Sequence, residues 1–164
     1  QLQKQGFAYF SLSDELRQEA TKKGIGHSRE ELISFGKQIR EEHGLGYLAS
    51  KINDKITDLK KKHIDKFVVD SIRSTGEVEE LAKNKDFILV AIEAYPELRF
   101  ERMKKRGRTG DAESFEQFLE HEKRENSKSG PGQQLDACID EADLIIENNG
   151  TLKQLQHKAD ELIK

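Results

Sequence analysis

Asp70 and Arg73 close a short β-branched run, Phe67-Val68-Val69-Asp70-Ser71-Ile72-Arg73. The run is too brief for a helix of its own and reads as a strand. A carboxylate and a guanidinium are thereby delivered to the carboxyl end of a strand, where open α/β sheets bind ligands. An acid there can hold a magnesium-bound water, and an arginine can grip a phosphate through two parallel donors. A second basic cluster, Lys104-Lys105-Arg106-Gly107-Arg108, ends a helix and opens a polar segment. Together the two clusters read as phosphate chemistry. No Gly-rich loop of the GxxxxGK[ST] kind occurs in the 164 residues, so the usual backbone cradle for a nucleotide's phosphates is not encoded here.

The elements that must position these groups alternate between strand and helix. Phe7 to Phe10 is a short strand, entered from what reads as a helix tail, Gln1 to Gln5. Ser13 is placed to cap a helix that runs through Leu16 and Ala20 to about Lys23, with Gly24 as its stop. Ser28 and Glu31 have capping-box spacing, and Leu32, Phe35, Gly36 and Ile39 form one apolar stripe behind them. After Gly44 a longer helix carries Leu45, Leu48, Ala49, Ile52, Ile56 and Leu59. The strand at 67–72 follows, then a helix capped by Ser74 with Glu77, then a strand at 87–92. Pro96 opens a helix to about Arg106. A charged helix, roughly 112–125, leads to the loop Ser127-Lys128-Ser129-Gly130-Pro131-Gly132. Leu144-Ile145-Ile146 is the last strand, and Thr151 with Gln154 caps the last helix. The expectation is one α/β domain, a single parallel sheet between two helical layers. Residues 107–132, with glycines at both ends and few large apolar residues, read as a weakly anchored lid.

Composition narrows the function. Hydrophobic residues make up 34% and charged residues 36%, which requires an economical core and strongly amphipathic helices. A net charge of −3 argues against binding polymeric nucleic acid, whose backbone selects an excess of Lys and Arg. The single cysteine, Cys138, excludes an internal disulfide and a Cys-based zinc site, and reads as a small buried apolar residue. The histidines are scattered without ligand spacing. No apolar stretch is long enough to span a membrane and none reads as a signal peptide, so the expected setting is the cytoplasm.

Over essentially its whole length the chain resembles the nucleoside-monophosphate-kinase branch of the P-loop phosphotransferases, close to dephospho-CoA kinase-like and adenylate kinase-like proteins. Ser11-Leu12-Ser13-Asp14-Glu15-Leu16-Arg17 is similar to the segment that opens the acceptor-binding helices, here 24–63. Asp70-Ser71-Ile72-Arg73 resembles the family's acid-x-x-arginine after the third strand, and Arg99 to Arg108 the helix leading into the lid. The tail from Gly132 to Asp143, with Asn148-Asn149-Gly150-Thr151-Leu152, is similar to the kinase-like half of deoxycytidylate deaminase-like proteins.

The resemblance implies roles. Asp14, Arg17 and Arg73 would bind a small phosphorylated acceptor, Asp70 would orient it or a magnesium-bound water, and Arg106 and Arg108 would neutralise the transferring group. ATP and Mg2+ would be the cofactors, and a fused or associated deaminase domain a possible partner. The alternative is a non-catalytic nucleotide-sensing module. Each residue also has a plainer role open to it. Asp70 can cap a turn, Arg17 and Arg73 can form surface ion pairs, and Arg106 and Arg108 can complement a helix dipole. The pattern departs from the family at its beginning, since Gln1 to Gly6 resembles only the end of the helix that follows the P-loop. In the family the absent strand lies between the strands here at 67–72 and 87–92. The expectation is therefore a gap at that position, with the P-loop either upstream or lost.

Overall fold

The computed structural model describes residues 1–107, 110–126 and 130–162. A short 3-10 helix at Leu2–Gln5 precedes β1 (Ala8–Ser11) and α1 (Leu12–Lys22). Then come α2 (Arg29–His43), α3 (Tyr47–Lys60), β2 (Phe67–Asp70) and α4 (Thr75–Leu81). The second half holds β3 (Val90–Glu93), α5 (Pro96–Arg106), α6 (Phe115–Glu125), α7 (Leu135–Asp140), β4 (Leu144–Glu147) and α8 (Leu152–Glu161). No helix among the described residues is long and apolar enough to cross a membrane.

The strands pair in parallel, as two two-stranded sheets with the break at the expected gap between β2 and β3. β1 lies beside β2 with Ala8 opposite Phe67 and Ser11 opposite Asp70. β3 lies beside β4 with Val90 opposite Leu144 and Glu93 opposite Glu147. Among the described residues no ladder joins β2 to β3. Both strands are shorter than their apolar runs, each for its own reason. β2 stops at Asp70 because Ser71 takes a left-handed backbone, φ 64°, which a strand cannot continue. Phe87 to Leu89 lie outside β3. There the Leu89 amide is held by the Asp143 carboxylate at 2.7 Å.

Most of the core belongs to the first half. Leu12, Ala20, Phe35, Ile39, Leu48, Ala49, Ile52, Ile56 and Leu81 form one cluster, against which Phe10, Phe67 and Val69 of the β1–β2 pair are packed. The α2 stripe is the one its period predicts, and the capping box is complete at both Ser28 and Thr151. Other caps differ. Ser13 does not cap α1; its hydroxyl accepts from Arg17 at 2.9 Å, and Ser11 stands at the N-cap. α3 starts at Tyr47, leaving Leu45 in the turn before it. The turn before α3 meets α4 at two glycines: a Cβ at Gly46 would lie 2.8 Å from the Gly76 carbonyl oxygen, and one at Gly76 2.4 Å from Leu45 Cβ. Only hydrogen at both positions permits this approach.

A smaller cluster of Val78, Leu89 and Cys138 joins the halves, and Ile72 and Phe87 touch both it and the main core. A third, Met103, Ala112 and Phe118 with Phe100 and Phe115, fastens α6 to α5. The Phe100 ring lies 5.6 Å from Phe115 and 5.7 Å from Phe118. Arg99 adds a fork to Glu122, with contacts of 2.9 and 2.6 Å. The segment expected to be weakly anchored thus has an aromatic core of its own, which its two phenylalanines and the preceding helix supply.

A buried ion pair fixes the turn after β2. Arg40 NH2 donates to Glu77 Oε1 at 2.9 Å, and the Glu77 side chain is fully buried. Glu77 Oε2 accepts the Arg73 amide at 2.7 Å. The Ser74 hydroxyl caps Glu77 N and donates to the Leu45 carbonyl. Glu77 therefore completes only half of the expected capping box, its carboxylate being engaged elsewhere.

Arg40→Met leaves Glu77 a buried, uncompensated charge and should cost about 3–5 kcal/mol in urea unfolding, while a joint Arg40→Met, Glu77→Leu change should recover only part of it because the Arg73 amide then loses its acceptor. Burial also pushes the Cys138 thiol up to about 11. Its alkylation should be slow at about pH 8 and keep accelerating well above the ordinary cysteine range of about 8.5, as a rate-against-pH series would record.

Candidate functional site

The parallel register of β1 on β2 brings Tyr9 beside the strand end, and its hydroxyl donates to Asp70 Oδ2 at 2.6 Å. The Ser71 hydroxyl donates to Asp70 Oδ1 at 3.1 Å, and the Ser11 hydroxyl reaches Ser71 Oγ at 3.4 Å. Asp70 is exposed, so this carboxylate is oriented by its neighbours and open to solvent. The hydrogen bond to Asp70 raises the Tyr9 phenol above its usual value, with burial adding to it. Ser71 carries a non-glycine residue in the left-handed region, an arrangement that clusters at functional turns. A carboxylate ringed by hydroxyls suits a hard cation held through water, so the donor set at Asp70 fits Mg2+. The 164 residues contain no glycine-rich loop of P-loop spacing to cradle a triphosphate, and they do not fit ATP by themselves.

Arg73 lies deeper. Its NH1 donates to Gln133 Oε1 at 2.9 Å, and its carbonyl accepts the Gln134 amide at 2.7 Å. Gln134 in turn accepts from the Thr75 amide and hydroxyl at 3.3 and 3.2 Å. Burial lowers the Arg73 proton affinity, Glu125 and Glu77 oppose that, and Arg40 and Arg29 reinforce it. A guanidinium starts so high that it stays charged. Arg73 is thus a desolvated cation in a small field of mixed charge, where an anion would be held more strongly than at the surface.

The remaining candidates divide into separate groups. Asp14 and Arg17 pair with each other at 3.1 Å on the first turn of α1, both well exposed. Arg73 has its charged neighbours elsewhere, on α2, α4 and α6. Arg106 donates to Asp111 Oδ1 at 2.9 Å at the end of α5, and Arg108 lies outside the described residues. Arg29, at the start of α2, reaches Glu125 at the end of α6 through Nε at 2.9 Å and NH2 at 2.5 Å, and lies 3.9 Å from Asp111. Tyr9, Arg29, Glu77, Glu125 and the Gln133-Gln134 pair escaped the sequence reading. Only Glu77 had a local signal, its spacing from Ser74, and that signal pointed to a cap.

Comparison with known proteins places the chain in a group. Over 164 residues it is 36% identical to the UPF0200 protein of Pyrococcus abyssi, covering 98% of this chain and 84% of that one. The chain belongs to the UPF0200 family. The UPF0200 protein of Pyrococcus horikoshii is 33% identical over the same shares of both chains. The UPF0200/UPF0201 protein of Archaeoglobus fulgidus is 34% identical over 160 residues, 96% of this chain but 48% of its own. This UPF0200 chain therefore spans about half the length of the Archaeoglobus relative. No family model matches it.

The Tyr9–Asp70 contact is directly testable among the three tyrosines of the chain. In an ultraviolet phenol titration, Asp70→Asn should bring the Tyr9 component down towards the ordinary value of about 10, and Tyr9→Phe should remove that component.

Proposed function

We propose that this UPF0200 chain is the acceptor-binding and lid part of a nucleoside-monophosphate-kinase-like phosphotransferase acting in the cytoplasm. The cradle for ATP is supplied, in this reading, by a segment outside the 164 residues. The observation that carries it is the break between β2 and β3. Parallel sheets are normally covered on both faces and rarely stand as two-stranded pairs. Here Ile92 is 60% exposed and Ile145 55% exposed, and the register places these two residues on opposite faces of the β3–β4 pair. A fifth strand between β2 and β3 would pair both open edges, and its attendant helix would cover one of the two isoleucines. That strand would end beside Asp70 and Arg73, the position where a P-loop meets its acceptor in the family this chain resembles.

In that arrangement Arg73 holds the acceptor phosphate from its desolvated site. Asp70, steered by Tyr9 and Ser71, orients the acceptor or a magnesium-bound water. Arg17 joins from the rim, since the exposed pair it forms with Asp14 is worth at most about 1 kcal/mol and is easily given up. Arg106, at the end of α5, and Arg108 would neutralise charge on the transferring group. Catalysis of this class depends on positioning and electrostatics more than on covalent chemistry. A second reading, a nucleotide-sensing module joined to another domain, is favoured by the double name and greater length of the Archaeoglobus relative.

Phosphoryl transfer from ATP to a panel of nucleoside monophosphates and dephospho-CoA should be absent for residues 1–164 alone and present when the native flanking sequence is restored. In the complete protein, Arg73→Ala should weaken monophosphate binding by about 1.5–3 kcal/mol. Turnover by the 164-residue chain, or unchanged binding after Arg73→Ala, would overturn the kinase reading. Nucleotide binding without turnover by the complete protein would favour the sensor.

A further inference from the structure

We propose that Arg29 is a second phosphate-binding arginine beside Arg73, and that the Glu125 carboxylate stands in for the acceptor phosphate in the ligand-free protein. This rests on the acceptor-site reading above and names a residue and a competitor that the reading did not contain.

The first observation is that the Arg29–Glu125 pair does not serve its own helices. Arg29 opens α2 and Glu125 closes α6, a cation at a helix N-terminus and an anion at a C-terminus. Each is placed against the dipole of its helix. The pair joins residues 96 apart in the chain, so local sequence does not require it either. What it does accomplish is to seat a carboxylate among guanidinium groups.

The second is the surroundings of that carboxylate. Arg29 uses both Nε and NH2 on Glu125 Oε1, a fork that suits a phosphate oxygen equally well. The Glu125 side chain is only 12% exposed, against 34% for Arg29. Glu125 also acts as a favourable nearby charge on Arg73, alongside its direct contact with Arg29. Beside it Asp111 stands 3.9 Å from Arg29 and 2.9 Å from Arg106. Arg29 and Arg106 thus share Asp111, and Arg29 holds Glu125 as well.

The exchange follows from charge. A phosphate monoester carries about −1.5 to −2 at neutral pH and three strong acceptor oxygens, more than the single negative charge it displaces. Arg29 and Arg73 would transfer their donors to it, and Glu125 would turn outward with the end of α6.

The test is calorimetric titration of the complete protein with inorganic phosphate, at ionic strength held constant with chloride. Arg29→Ala should weaken phosphate binding by about ten- to a hundredfold, as loss of a charge-assisted contact does. Glu125→Gln, which keeps shape and removes charge, should tighten it several-fold. That gain should vanish when Arg29→Ala is combined with it. Should Arg29→Ala fail to fold, Arg29→Lys keeps the charge without the fork and should weaken binding by a smaller factor. If Arg73→Ala weakens binding while the Arg29 variants do not, or if Glu125→Gln weakens it, this inference fails and the acceptor-site reading stands. If the unaltered protein binds no phosphate, or Arg73→Ala has no effect, the acceptor-site reading itself fails.

Discussion

The carboxylate of Glu77 is where this structure is held together. It sits with no exposure between Arg40 on α2 and the Arg73 amide beyond β2. A buried acid is tolerable only when its oxygens are engaged, and here each oxygen has a partner from a different element. The pair costs desolvation and fixes geometry in return. Glu77 holds the Arg73 amide just beyond the left-handed Ser71, Ile72 lies in the seam between the two apolar clusters, and the Arg73 side chain reaches Gln133. The Arg73 carbonyl then receives Gln134 and so fixes the start of α7. Arg40 Nε is buried without a partner, a sign that the guanidinium was placed for Glu77 and not for its own full satisfaction.

Around that anchor the molecule is two unequal halves. The first has nearly all of the large apolar cluster; the second has a three-residue junction and a phenylalanine group serving α5 and α6. They are joined by α4 against α7 with Ile72 and Phe87 bridging, and by the Arg73–Gln133 and Arg29–Glu125 contacts. The open edges of β2 and β3 face a region where no backbone partner lies among the described residues. Asp70 ends β2 at that edge.

The sequence disclosed what depends on near neighbours. The α2 stripe and the boxes at Ser28 and Thr151 follow from spacing alone, and so does the delivery of Asp70 and Arg73 to a strand end. The break between the sheets was legible too, but through the absence of one motif and not through any residue present. Hidden from it were contacts between residues far apart. Nothing near Glu77 announces Arg40, and nothing near Arg29 announces Glu125. Tyr9 reads as an ordinary strand aromatic until the register on β2 is known. β3 fell short of its apolar run because edge pairing, not composition, decides where a ladder begins.

The order of strand pairing has a kinetic consequence. Ala8 meets Phe67 before Val90 meets Leu144 in the chain, and the two pairings are consecutive, not interleaved. The first can close on a ribosome while the second is still being synthesised, since Glu77, Arg40 and the α1–α4 core are complete by Leu81. Both are distant parallel closures, which are intrinsically slow. Folding in such a chain would proceed in two steps with an early, self-sufficient nucleus. A middle strand lying upstream of β1 would leave the ribosome before both halves and stand at the β2 edge while β3 and β4 are still being made.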